Sequence, residues 1–402
     1  MTETDAVVLP TERPAPLDPP TELAELRETR SIARLAYADG HLGWLVTSHA
    51  LVREVMADPR FSVRPELRHR PIELPGQPDP QPAQPGMFLG MDPPGHTRYR
   101  RLLTGEFTVR RMGLLAERIE EITRGCLDAM ERQGGPVDLV EAFAEPIPAA
   151  VIGELLGVPE QEFKQAQEHF VKIIRREGTA EDMLAAYKAT LALIQELIGA
   201  KRAAPTDDVL SGLTRSDLTD EELANIGFLL LGAGLDTTAN MLALGTFALL
   251  DRPGQIPALL SAPDQAVEEL LRYLSITPFL IRTALEDVEL GGELVRAGET
   301  VTLSIAAANR DPDRFPAPDA LDLSRSGSTH LGFGHGVHQC LGQQLARVEL
   351  RVALPALFTR FPSLRLAVAP GQVPVRPIEM LIHGLLSLPV TWGQEDPRDR
   401  SR

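Results

Sequence analysis

Cysteine is nearly absent from this chain: Cys126 and Cys340 are the only two in 402 residues. That excludes a disulfide framework and fits a reducing compartment. Positive charge is in deficit, with 40 Lys and Arg against 56 Asp and Glu and a formal net charge of −16. A nucleic-acid binder would carry a basic footprint instead. The longest apolar run, Ile226 to Leu235, stops at Asp236, short of a membrane span. Met1 to Pro20 is acidic and proline-rich and lacks the basic-then-apolar order of a signal peptide. None of the nine histidines stands in HExxH or another zinc spacing. Flavin and nicotinamide fingerprints are missing too. The expectation from these absences is a soluble, cytoplasmic protein that touches neither membrane nor nucleic acid; a monomer is expected as well.

What is there is a globular composition, 43% hydrophobic and 24% charged. Residues 1–20 are expected to form a disordered lead, 21–393 a single domain and 394–402 a flexible tail. Leu26 to Ala36 reads as a short helix, Trp44 to Thr47 as a strand, and Ser48 as the cap of a helix reaching Met56. Arg64 to Met87 is crowded with proline and reads as a long irregular loop, a lid or binding loop by its length. From Arg98 onward helical periodicity dominates. Cys126 falls in such a stretch and reads as inert core. Thr219-Asp220-Glu221-Glu222 is a capping box. It opens the longest helix, which runs to Asp251, and about thirty residues at 1.5 Å each span roughly 45 Å. Apolar side chains almost all round predict its burial. Strand signals are short and late, at 288–290, 293–295, 300–303, 364–368 and 387–391. The fold class is mainly α with a minor β part.

The densest signal is Phe333-Gly334-His335-Gly336-Val337-His338-Gln339-Cys340-Leu341-Gly342. Gly334 and Gly336 can take backbone angles closed to other residues, so the chain can fold tightly beneath a flat ligand. Helical spacing resumes at Leu345, which puts Cys340 just ahead of a helix N-terminus. Unpaired N–H groups and the positive dipole end there favour a thiolate, the form an iron ligand takes.

That decapeptide resembles the haem-binding loop of the cytochrome P-450 family of monooxygenases, and it agrees at every diagnostic position. The resemblance extends from Trp44 to Trp392 and is strongest to soluble, actinobacterial-type members that tailor secondary metabolites. It implies a triangular helix-rich body with a long central helix and small β-sheets. It also implies haem b (iron protoporphyrin IX), with Cys340 as iron ligand, Phe333 shielding the sulfur and Gly342 in the cofactor seat. Propionate contacts carry over to His96 and Arg100, four residues apart on one helix face, to Arg282 at the start of a strand, and to His338.

Within the long helix stands Ala233-Gly234-Leu235-Asp236-Thr237-Thr238. On residue chemistry alone two readings stay open. Gly232 and Gly234 allow either a local opening for a small ligand or close helix packing, and Asp236 is either used or satisfied by a buried partner. The resemblance favours the first, with Asp236 and Thr237 managing proton delivery. Glu269 and Arg272 make an i, i+3 pair; the resemblance adds Arg325, from Asp322-Leu323-Ser324-Arg325, as a third member with a structural role.

The activity so implied is insertion of one oxygen atom from O2 into a medium-to-large hydrophobic molecule, such as a polyketide or macrolide. Electrons would come from NAD(P)H through a ferredoxin and a ferredoxin reductase, with Arg98, Arg101, Arg110 and Arg347 as docking contacts. Alternatives are a peroxide-using, isomerising or dehydrating haem-thiolate enzyme, and a gas-binding haem protein. His383, in the turn of a C-terminal hairpin, is either a specificity contact or a surface residue.

Overall fold

Thr219 does what its spacing predicts. Its hydroxyl accepts from the Glu222 N–H at 3.2 Å, and the Glu222 carboxylate accepts from the Thr219 N–H at 2.8 Å. From this cap the central helix Asp220–Asp251 runs unbroken for 32 residues. The computed structural model describes residues 6–74, 79–175, 178–327 and 329–393.

Two apolar cores meet along this helix. Its first half gives Leu223, Ile226, Leu230, Leu231 and Leu235 to a cluster with Phe88, Phe107, Ile152, Phe163 and Phe170. Its second half gives Met241, Leu242, Leu244, Phe247 and Leu249 to a cluster with Leu270, Leu354, Leu357 and Phe358. Each buried Leu or Phe contributes about 1.5–3 kcal/mol, which outweighs the two glycines and the polar residues mid-helix. By length and composition this helix and Ala180–Ala203 are each long enough to cross a bilayer. Core packing accounts for the central one, whose apolar window is 61% buried.

The glycines serve packing. A Cβ on Gly232 would stand 2.6 Å from the Phe170 ring, and one on Gly234 would stand 2.8 Å from Ile152. Helices Glu160–Arg175 and Pro146–Leu156 pack on these two positions.

The main sheet has six strands in the order Val7–Val8, Ile32–Ala36, Leu42–Val46, Thr300–Ser304, Phe279–Ala284, Phe61–Ser62. A three-stranded sheet joins Arg365–Leu366, Pro389–Thr391 and Val137–Asp138, and Val288–Leu290 pairs with Glu293–Val295. Arg282 lies within strand Phe279–Ala284, opposite Val301, not at its start.

Two expectations near the N-terminus fail. Leu26 to Ala36 is not one helix: Thr21–Thr29 is helical, then Arg30 is extended (φ −154°) and Ile32–Ala36 is a strand. Pairing of Ile32 with Val46 through Ala36 with Leu42 overrides local helix propensity. Nor is the proline-rich lead free of structure. Val7–Val8 pairs in parallel with Leu35–Ala36, while Leu9 and Leu17 are buried in the cores. Residues 1–5 and the expected tail at 394–402 lie outside the described residues.

The Arg64 to Met87 loop holds one 3-10 turn, Pro65–Leu67, among its described residues; 75–78 lie outside them. Its base is pinned because Asp92 accepts from Ser62 Oγ at 2.6 Å and Val63 N at 3.0 Å. Its end rests on the central helix, where Asn225 Nδ2 donates to Pro85 O at 2.8 Å.

The Glu269, Arg272, Arg325 trio forms. Glu269 and Arg272 are fully buried and joined by two bonds of 2.7 and 2.8 Å, and Arg325 reaches Glu269 at 3.0 Å. Arg272 also donates to the carbonyls of Asn309, Pro318 and Ala320, pinning the 309–325 segment to helix Pro263–Leu274. Burying charge is expensive unless every donor is met, and here the guanidinium meets four partners. Arg272→Leu, which leaves the buried Glu269 carboxylate to Arg325 and the Asp322 N–H, is expected to cost about 3–5 kcal/mol in urea denaturation. Arg325→Leu, at the half-open edge, should cost less.

Candidate active site

Gly334 and Gly336 have φ of 69° and 74°, in the left-handed region that favours glycine. A Cβ on Gly336 would stand 2.5 Å from the Met56 carbonyl oxygen, so the loop is pressed against the end of helix His49–Ala57. The Cys340 N–H donates to Phe333 O at 2.9 Å and closes the loop. Gly342 is the N-cap of helix Gln343–Arg360, so the sulfur stands just ahead of that helix, as its sequence spacing predicts.

A cavity of about 320 Å³ separates this loop from the central helix. Phe333, His338, Cys340 and Gly342 line one side, and Ala233, Gly234 and Thr237 the other. Between them Phe88, Leu89, Ile152, Leu229, Leu230, Ile276 and Leu280 make apolar walls. A Cβ on Gly342 would meet nothing within 4 Å. Phe333 is held under the Arg347 guanidinium, 4.6 Å from its ring centroid, and Arg347 is itself paired with Glu268.

Cys340 is accessible where it lines the cavity, yet the surrounding protein strips water from its sulfur. Burial pushes the thiol up; the N–H groups of Gly342 and Gln343, with Arg100 and Arg347, pull it down but do not prevail. The expected thiolate preference is thus overruled by desolvation in the free thiol. A cation bound at the sulfur would reverse the balance.

At the rim lies a cluster of donors without acceptors. His96 is buried with neither ring nitrogen bonded, its ring 4.2 Å from that of His338, whose Nδ1 is also orphaned. Burial, then the charges of His96 and Arg282, push His338 down to about 3. Burial lowers Arg100, and it lowers Arg282 to about 10. Arg282 donates to Ile281 O at 2.9 Å. Among the described residues neither guanidinium has a carboxylate in ion-pair contact. Cations desolvated together this way call for anions.

Asp236 and Thr237 part company. Thr237 faces the cavity and donates to Ala233 O at 2.8 Å. Asp236 turns to another face, where it accepts from Arg376 Nη1 at 2.7 Å and Asn240 Nδ2 at 3.1 Å. Adjacent helical residues point about 100° apart, from 3.6 residues per turn.

The cytochrome P450 family model matches residues 259–389. Cytochrome P450 105C1 from a Streptomyces species is 47% identical over 98% of this chain and 100% of that protein. Pentalenic acid synthase of Streptomyces avermitilis is 43% identical, over 96% of this chain and 97% of its own length. The crystal structure of CYP105P1 with filipin I superposes with a TM-score of 0.89 at 39% identity, covering 98% of this chain and 100% of that one. The chain is a cytochrome P450. It is a haem-thiolate monooxygenase, an oxidoreductase, and its residues fit the group: a sulfur lining a cavity, glycine where bulk would intrude, unbonded histidine nitrogens, and two guanidiniums without a carboxylate in ion-pair contact among the described residues.

Sequence reasoning missed three residues of this P450. Asn240 was findable, since it lies four positions from Asp236 on the same helix face. Arg376 carried no local signal. Glu349 interrupts an apolar stripe, the one clue to a carboxyl that lines the cavity, is buried, and has Oε2 unbonded. His383 is not a surface residue, and it does not line the cysteine cavity. It is buried, with its N–H donating to Ile276 O at 2.7 Å and its ring bonded to Pro16 O at 2.8 Å. The lead segment, read as disordered, is what covers it.

Burial pushes Glu349 up from 4.5 to about 8, so the folded P450 holds a proton there that the unfolded chain releases. Stability from this group is full below pH 4.5 and is lost as pH rises toward 8. Glu349→Gln removes that dependence. Urea denaturation should show the variant gaining on the wild type by about 1.4 kcal/mol per pH unit across this window, with no divergence below it.

Proposed function

We propose that Cys340, as thiolate, would hold the iron of haem b, and that this P450 hydroxylates or epoxidises a medium-to-large hydrophobic secondary metabolite. The observation that carries the reading is that Cys340 and Thr237 line one and the same apolar-walled cavity. Haem supplies the oxygen chemistry when bound: O2, two electrons and two protons yield one oxygen atom in the product and one water.

The protein's residues do the rest. Arg100, Arg282, His96 and His338 would hold the two haem propionates, which would supply acceptors to the unbonded His96 and His338 nitrogens and counter-charge to the two guanidiniums. N–H groups at Gly342 and Gln343 draw charge from the sulfur, and Phe333 excludes water from it. Thr237, whose hydroxyl proton is held by Ala233 O, offers its oxygen to the cavity as an acceptor, and Asp236 brings protons toward it from the other face of the helix. Leu229, Leu230, Ile152 and Leu280 orient an apolar substrate. The Arg64 to Met87 loop, ending at Phe88 and Leu89 on the cavity, acts as a lid.

A relative named pentalenic acid synthase and a solved neighbour holding filipin I support a secondary-metabolite substrate. Electrons come from NAD(P)H by way of a ferredoxin reductase and a ferredoxin, in the cytoplasm. Arg101 and Arg110 are exposed for an acidic partner, whereas Arg98 and Arg347 are tied to Glu222 and Glu268. We take the protein to act as a monomer.

Reduced protein under carbon monoxide should give the strongly red-shifted Soret band of thiolate ligation, and Cys340→Ser should lose it; an unchanged spectrum would remove Cys340 from the metal. Thr237→Ala should keep consuming NADPH while forming about 10-fold less product per electron, the difference appearing as hydrogen peroxide. Equal product per electron would strip Thr237 of its proton role.

A further inference from the structure

Arg376 is the residue on which the Asp236 side of the central helix turns. It is buried, and it comes from a segment 140 positions along the chain. Its Nη1 holds Asp236 at 2.7 Å and its Nε lies 3.4 Å from Met380 Sδ, while its Nη2 is buried without an acceptor. The segment is locked in place. Arg376 N donates to Gly384 O at 3.0 Å, and Gly384 lies so close to Asn240 that no side chain could stand there. Asn240 in turn binds Asp236.

Two hollows meet at this guanidinium. A small one of about 50 Å³ is lined by Asp236, Asn240, Glu145 and Arg175, the last two paired at 2.7 Å. A cleft of about 590 Å³ lies between the N-terminal segment, the end of the central helix and the C-terminal segment, with Arg13, Asp18, Asp251, Arg252 and His383 on its walls. Arg376 is the one described residue that lines both. Neither hollow shares a lining residue with the cavity of Cys340 and Thr237.

We propose that Arg376 is the positioning residue for the proton donor Asp236, and that protons enter from the cleft bounded by the N-terminal segment, past this guanidinium. The inference rests on Asp236 as donor, as argued above. In each cycle the Asp236 carboxyl gives a proton toward Thr237 and becomes carboxylate. Arg376 then fixes that carboxylate toward the small hollow, and water entering from the cleft past the guanidinium returns a proton to it, the hydroxide left behind taking its proton from bulk water. Bond for bond, one O–H breaks at Asp236 and one re-forms there. The buried, unbonded Nη2 provides the N–H that such water needs as a neighbour.

The test uses the haem-loaded enzyme with a substrate it turns over. Arg376→Met keeps the volume and removes the charge. Product per electron should fall about 10-fold, peroxide should rise to match, and the solvent deuterium isotope effect on product formation should increase. Arg376→Lys, which restores the cation, should recover at least about half of the loss. A readout free of catalysis is labelling of the Asp236 carboxyl by a water-soluble carbodiimide, followed by peptide mass spectrometry. Arg376→Ala should raise it about 3-fold or more, since exposure of a protected group scales with removal of its cover. Product per electron unchanged in Arg376→Met, Arg376→Lys as poor as Met, or labelling unchanged in Arg376→Ala would each overturn the proposal. Asp236→Asn separates the two readings. If it uncouples turnover and Arg376→Met does not, only the role of Arg376 falls; if it leaves coupling intact, the donor role of Asp236 falls first.

Discussion

The structure depends on holding one desolvated sulfur at the mouth of a cavity. Burial alone makes the Cys340 thiol reluctant to lose its proton. The fold therefore surrounds it with opposing influences: a helix start, two backbone N–H groups, and the guanidiniums of Arg100 and Arg347. The two tight glycine turns make this arrangement possible, because only a chain without a Cβ at 336 can lie against Met56 and still return Cys340 to Phe333. Remove that close approach and the sulfur moves relative to the central helix opposite. In that sense Gly336, far from any reacting atom, carries as much of the geometry as the cysteine.

The second constraint is the central helix as a partition. Its two halves belong to different cores, and its polar residues, Asp236 to Asn240, sit where those cores meet. A polar stretch costs least at such a seam, because neither core must close around it. The seam also explains why neighbouring residues serve different spaces. Thr237 faces the cysteine cavity, while Asp236 is bound by Arg376 from the other face.

What could be read in the sequence was what local spacing controls. The Thr219–Glu222 cap, the Ser48 cap, the Glu269–Arg272 pair and the glycine angles beside Cys340 all formed as their patterns require. Long-range partners stayed hidden. Ile32–Ala36 became a strand because Leu42–Val46 pairs with it, and isolated propensity cannot see that neighbour. The glycines of the central helix were ambiguous between opening and packing. Phe170 and Ile152, remote in sequence, decided for packing. Arg376 and the N-terminal lead were illegible for the same reason: their worth lies wholly in what they touch 140 or more residues away.

These constraints together explain how one fold can keep its chemistry while its substrate walls vary. The cysteine loop and the Glu269 trio are tied by charge, hydrogen bonds or backbone contact, where a small displacement leaves a buried group unpaired. The substrate walls, Leu229, Leu230, Ile152 and Leu280, are apolar contacts on regular elements, where volume-conserving exchanges cost little. Specificity can therefore drift on one side of the cavity without disturbing the other. The exception is Leu89, which is half-exposed at the end of the proline-rich loop and lines the same cavity. There the cavity wall is continuous with the proline-rich loop, so a change at the loop's end also changes the cavity.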